Sequence, residues 1–108
     1  MCAAARISEL LAGYDPGLPI EQAQTIPAGW YTDPDLLDLE QRAVFSRTWQ
    51  MVGRRDQCRG AGDYFTAGVA GEPLVVVRGA DGVLRAFFNV CRHHAAEVLT
   101  AASGHCSV

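Results

Sequence analysis

The chain has 108 residues, enough for one domain with a modest core, and its 49% hydrophobic and 19% charged residues are those of a folded globular protein. Twelve acidic against nine basic residues leave a net charge of -3, which gives no electrostatic footprint for a phosphate backbone or an anionic membrane surface. The expectation is therefore no nucleic acid, no membrane and, because Arg6, Ser8 and Glu9 interrupt the N-terminal stretch where a secretory signal needs an apolar core, a cytoplasmic location.

Residues 1–29 mix alanine, glycine and proline without a lasting period, apart from a short helical pattern around Ile7 to Leu11, and read as an N-terminal arm. The first full element follows in "WYTDPDLLDLEQRAVFSRTW". Asp33 suits the N-cap, Pro34 the first helical position, and Asp35 and Asp38 the positive helix start. Leu36, Leu39, Ala43 and Val44 then lie close to one face, so the pattern predicts an amphipathic packing helix that ends near Ser46.

Beyond the helix come short β-prone runs separated by turn residues: "TWQMVGR" (48–54), "DYFTAGV" (63–69), "PLVVVRG" (73–79) and "VLRAFFN" (83–89). Asp81-Gly82 between the last two is a hairpin signal, since glycine accepts the positive φ such turns need. The expected fold is mainly β with an N-terminal helix, built on an antiparallel sheet. The last strand runs through Phe87, Phe88, Asn89 and Val90 straight into Cys91, so a rigid ribbon would carry the following loop at its tip.

That loop opens a region, residues 91–106, which holds all three histidines and two of the four cysteines. Widely spaced cysteines in a reducing compartment favour metal chemistry over a disulfide framework. "CRHH" reads as CxH with His93 or as CxxH with His94; thiolate and imidazole are metal ligands at either spacing, and the spacing alone does not choose. The simpler reading of Cys91 and His93 is a small buried thiol beside a surface histidine. Cys91, His94, His105 and Cys106 would make a Cys2His2 zinc set, though adjacent ligands in "GHCS" chelate awkwardly. Cys58 reads as an incidental thiol and Cys2 as an arm residue. Trp30, Trp49, Phe65, Phe87 and Phe88 read as packing, and Arg54 and Arg55 as a solvated pair without an acidic partner in register.

From about Pro27 onward, the pieces "WYTDP", "GDYF", "GEPLVVVR", "DGVLRAFFNVCRH" and "HHAAEV", in this order, resemble the N-terminal part of the α subunit of Rieske non-haem iron oxygenases. These are the aromatic-ring-hydroxylating dioxygenases and their monooxygenase relatives, including a choline-monooxygenase-like branch. In a Rieske [2Fe-2S] centre two thiolates hold one iron and two imidazoles the other. The family spaces these ligands as CxH followed by a later CxxH. No histidine precedes His93, so the resemblance makes "CRHH" the first half, with Cys91 and His93 as cluster and metal ligands and His94 beside them.

The resemblance further implies an incomplete antiparallel Rieske β-sandwich over residues 30–108, a fragment cut before its second ligand pair. The parent would be an oxygenase, mono- or dioxygenase, with a mononuclear non-haem Fe(II) in a C-terminal domain outside this sequence. It would take electrons from a reductase or ferredoxin, act on a small organic substrate and assemble as a trimer-like homo-oligomer. The other classes kept in view are a Rieske-type electron-transfer protein and a small zinc-binding or structural module.

Overall fold

A computed structural model describes residues 3–107; Cys2, read as an arm residue, lies outside them. The chain folds as two compact units, Met1–Arg47 and Thr48–Val108.

In the first unit, α1 (Ala3–Ala12) extends the short helical pattern around Ile7 to Leu11. Its C-terminal turn is fastened by Trp30, whose indole Nε1–H donates to the Leu10 carbonyl at 2.9 Å and whose ring meets Tyr14 edge-on with centroids 5.5 Å apart. The short α2 (Gly29–Thr32) leads into Asp33, which is extended and caps α3 (Pro34–Glu40) by accepting from the backbone N–H of Asp35 at 2.9 Å. The same carboxylate, only 6% exposed, pairs with Arg6 of α1 at 2.6 Å. One aspartate thus caps one helix and docks another.

The helix runs to Ser46 as the sequence predicts, but its last turn, Gln41–Phe45, is a π-turn. A π-turn takes up an additional residue and rotates everything beyond it around the axis. Leu36 is buried, while Ala43 and Val44, which the regular period places on the Leu36 face, are exposed.

The second unit is a four-stranded antiparallel sheet in the order β3-β2-β1-β4, formed by β1 (Asp63–Val69), β2 (Glu72–Arg78), β3 (Leu84–Phe88) and β4 (Ser103–His105). Three of the four expected strands are present, shifted by a residue at most ends. β1 and β2 join through Ala70 and Gly71, both at positive φ (52° and 82°), the pair of values a two-residue I′ hairpin requires. At the second turn, Gly79 N–H donates to Val83 O at 3.0 Å, Gly82 has φ 78°, and Asp81 accepts from Val83 N–H at 3.1 Å and from the Arg85 guanidinium.

Register puts Phe65 opposite Val76. With Cys58 they make the buried cluster, 0–8% exposed, and Val52, Ala67 and Leu84 pack around it. Residues 48–54 were expected as a strand and are not one. Trp49 and Met51 are fully exposed, and the run is fixed through Val52, which packs on the cluster, and through a 3-10 turn, Arg55–Gln57, whose Gln57 Oε1 accepts from Arg54 N–H. Alternation alone does not make a strand, because β-propensity acts through packing and burial, and here Val52 is the residue of the run that packs on the cluster. The 3-10 turn also supplies an acidic partner for Arg54, expected to have none: Asp56 binds it at 2.8 Å. Phe87 and Phe88, read as packing residues, are 52% and 67% exposed. No helix among the described residues is long and apolar enough to cross a membrane.

Candidate metal centre

β3 delivers the chain to the loop as its pattern implied. Asn89 N–H continues the ladder by donating to Pro73 O at 2.8 Å, and Cys91 follows two residues later. There the backbone turns back: Ala95 N–H donates to Cys91 O at 2.9 Å and Cys91 N–H donates to Ala96 O at 2.8 Å. The reversal places Ala95 in the left-handed region, φ 53°, unusual for a residue with a Cβ.

Within this turn the half-buried Cys91 thiol receives the backbone N–H groups of His93 and then His94, which lower its pKa from the ordinary thiol value by stabilising the thiolate. Cys91 Sγ lies 3.7 Å from His94 Nδ1, within reach of a sulfur hydrogen bond. The His93 ring stands 6.3 Å from that of His94, tilted by 53°, and both are exposed. Of the residues singled out from sequence, then, the side chains brought together are Cys91 and His94, with His93 contributing its N–H to the sulfur while its ring stays exposed.

His105 and Cys106 are engaged elsewhere. His105 Nδ1 is 3.1 Å from Asp63 Oδ1, and Cys106 donates its thiol at 3.4 Å and its backbone N–H at 2.9 Å to Gly62 O. Asp63 is held below the usual carboxylate range by the Gly60 N–H and then by His105. No group of three or more His, Cys, Asp or Glu side chains among the described residues is placed to hold a metal ion, so the Cys2His2 zinc set is not assembled. Cys58 is wholly buried against Val76 O at 3.7 Å, and burial pushes its thiol pKa up, which suits a packing thiol.

A cysteine sulfur that receives backbone N–H groups, with imidazoles in the same turn, fits one half of a thiolate-imidazole cluster site: the donors have the right softness, and N–H groups aimed at sulfur are those that support a metal-bound thiolate. Sequence reading passed over Asn89. Its carboxamide bonds both backbone groups of Leu99, and the available signal was a polar residue ending an apolar strand one step before the cysteine loop.

A cysteine-histidine loop at the tip of an antiparallel ribbon is the arrangement of a Rieske [2Fe-2S] domain, whose family model matches residues 48–107, and the chain belongs to that family. Among proteins it is similar to, chloroplastic choline monooxygenase of Arabidopsis thaliana is 42% identical over 98 residues, 91% of this chain and 23% of the relative. The carnitine monooxygenase oxygenase subunit of Escherichia coli K12 is 42% identical over 80 residues, 74% of this chain and 21% of the relative. The crystal structure of the quaternary ammonium Rieske monooxygenase CntA with its substrate gamma-butyrobetaine superposes with a TM-score of 0.72 at 39% identity, covering 79% of this chain and 24% of that one. The chain thus spans about a quarter of the length of these relatives.

Proposed function

We propose that the chain forms the leading part of the Rieske domain in the oxygenase component of a monooxygenase acting on a quaternary-ammonium compound. The observation that carries this is the 42% identity to a choline monooxygenase across 91% of the chain, which includes the whole cysteine-histidine loop. Cys91 and His93 are the first ligand pair of the [2Fe-2S] cluster, and the second pair belongs to the polypeptide beyond Val108.

In this reading the backbone N–H groups of His93 and His94 hold Cys91 as thiolate, and His94 Nδ1 shares that sulfur as a hydrogen-bond partner. His93, exposed on the loop, offers its imidazole at the protein surface, where an electron donor docks. When bound, the cluster supplies one-electron storage at a potential raised by imidazole ligation. The donor is a reductase or ferredoxin, the oxygen chemistry belongs to a mononuclear non-haem Fe(II) held by a 2-His-1-carboxylate triad outside this sequence, and the assembly is a trimer-like homo-oligomer.

The test is a polypeptide extended past Val108 by its own coding sequence and reconstituted with iron and sulfide. Equal amounts of iron and labile sulfide are expected, with the visible spectrum of a histidine-ligated cluster that Cys91→Ser and His93→Ala abolish and His94→Ala preserves. Loss in His94→Ala with retention in His93→Ala would reverse the ligand assignment, and zinc without visible absorption would sink the cluster reading. Consumption of naphthalene but of neither choline nor carnitine would overturn the substrate class.

A further inference from the structure

Residues 92–98 are exposed throughout, so no apolar packing holds the cysteine-histidine loop. What closes it is Asn89, a polar side chain only 2% exposed. Its Nδ2–H donates to Leu99 O at 2.7 Å, and Leu99 N–H donates to its Oδ1 at 3.0 Å. The carboxamide therefore pairs with a backbone amide as a second strand would, joining positions 89 and 99 across the mouth of the loop. Its own N–H is fixed to Pro73 O of β2, so the closure is anchored in the ribbon. Only Asn or Gln offers a donor and an acceptor in this planar arrangement, and Gln is longer by one methylene.

We infer that Asn89 is a positioning residue that closes the loop and so holds the Cys91 thiol against the His94 imidazole. Its functional meaning rests on the ligand reading above, but the closure can be tested apart from it. In Asn89→Asp the bond from Leu99 N–H survives, while a carboxylate oxygen replaces the donor facing Leu99 O; in Asn89→Ala both bonds go.

The experiment is amide hydrogen exchange and proton cross-relaxation on the isotope-labelled 108-residue chain. In Asn89→Ala the amides of Leu99, Cys91 and Ala95, and in Asn89→Asp those of Cys91 and Ala95, are expected to exchange about tenfold faster or more, while amides central to β1 and β2 keep their protection. Cross-relaxation between the Cys91 β protons and the His94 ring, expected in the native chain from the 3.7 Å separation of Cys91 Sγ and His94 Nδ1, is expected to disappear. Unchanged loop amides with a persisting Cys91–His94 contact would overturn the inference. So would equal acceleration of every amide from Thr48 to Val108, the mark of a residue that merely stabilises the fold. Should Asn89→Ala fail to fold, Asn89→Asp decides. Cys91→Ser removes the thiolate and is expected to leave the Leu99 amide unaffected, so failure of the ligand reading and failure of the closure are told apart.

Discussion

Phe65 and Val76 face one another across β1 and β2 with Cys58 against them, whereas the loop from Val90 to Val98 has Cys91 as its only residue that is not exposed. The ribbon is held by apolar burial, which is non-directional and tolerates small shifts. The loop is held by backbone bonds at Cys91, Ala95 and Ala96 and by the carboxamide of Asn89, each of which works in one geometry only. For a site that must present donor atoms to a metal, the second kind of restraint fixes position while the first supplies the platform.

The widest break in that contrast is Phe65→Ala. Phe65 is 5% exposed at the centre of the only buried apolar cluster described in this unit, and its ring lies so close to Gly53 that a Cβ there would come within 2.7 Å of it. Truncation is expected to cost about 3–5 kcal/mol, read as a lower denaturant midpoint of the second unit, and the loop should lose order together with the ribbon. A loop whose Cys91–His94 contact outlives the ribbon would show that the platform is dispensable. Next comes Gly62→Ala, which leaves the cluster intact and attacks β4. Gly62 has φ 86°, and a Cβ there would collide with the Cys106 carbonyl. A loss of about 2 kcal/mol is expected from the conformation alone, with the Cys106 amide exchanging faster while β1–β2 amides stay protected.

Signals confined to a few neighbouring residues were legible in the sequence. Asp33-Pro34 gave the helix start, Asp81-Gly82 the hairpin, and the apolar run into Cys91 put the thiol at the ribbon's end. What depended on a distant partner was not. Residues 48–54 alternate like a strand but pair with no other strand, and Ser103–His105 pairs as one with no β-prone residue because β1 offers it a ladder. The π-turn at Gln41–Phe45 leaves no pattern that an ideal helical period can detect. At the site, the cysteine-histidine spacing was visible, yet the choice of Asn89 as the closing residue depends on Leu99, ten positions away. Arg54 pairs with Asp56, two positions on, at the 3-10 turn Arg55–Gln57.

Acid offers a gentler way to separate the apolar platform from its polar attachments. Asp63, which carries the β4 contact to His105, has its carboxyl pKa lowered by the Gly60 N–H and then by His105. Asp81, in the β2–β3 turn, is held well below the usual range by Arg85 and then by the Val83 N–H. Because the folded pKa lies below the unfolded one in each case, the stabilisation is fully present above about pH 4 and is lost as pH falls through the depressed values. Amide exchange followed down through that window should show Cys106 and Val83 losing protection first. Asp81 is exposed and Asp63 half-buried, so salt should blunt the effect, more at Asp81 than at Asp63. Parallel loss across β1 and β2 would mean that the sheet itself depends on these charges.

The smallest expected effect falls inside the loop, at Ala95. With φ 53° it adopts a conformation that costs an L-residue about 1–2 kcal/mol, and the bonds flanking it, Ala95 N–H to Cys91 O and Cys91 N–H to Ala96 O, hold it there. Glycine at this position would remove the strain but would widen the unfolded ensemble by about 0.5–1 kcal/mol, so Ala95→Gly should shift overall stability by less than about 1 kcal/mol. The informative readout is local. If the turn is held closed against strain by Asn89 and the flanking bonds, relieving it should slow exchange at the two bonded amides, those of Cys91 and position 95, while leaving β1 and β2 untouched. Combining Ala95→Gly with Asn89→Asp should then return part of the lost loop protection, because a turn that no longer resists closure needs less from the carboxamide. Strictly additive changes would instead mean that turn and clamp act as separate restraints, and that the alanine is tolerated at Ala95 without the help of Asn89.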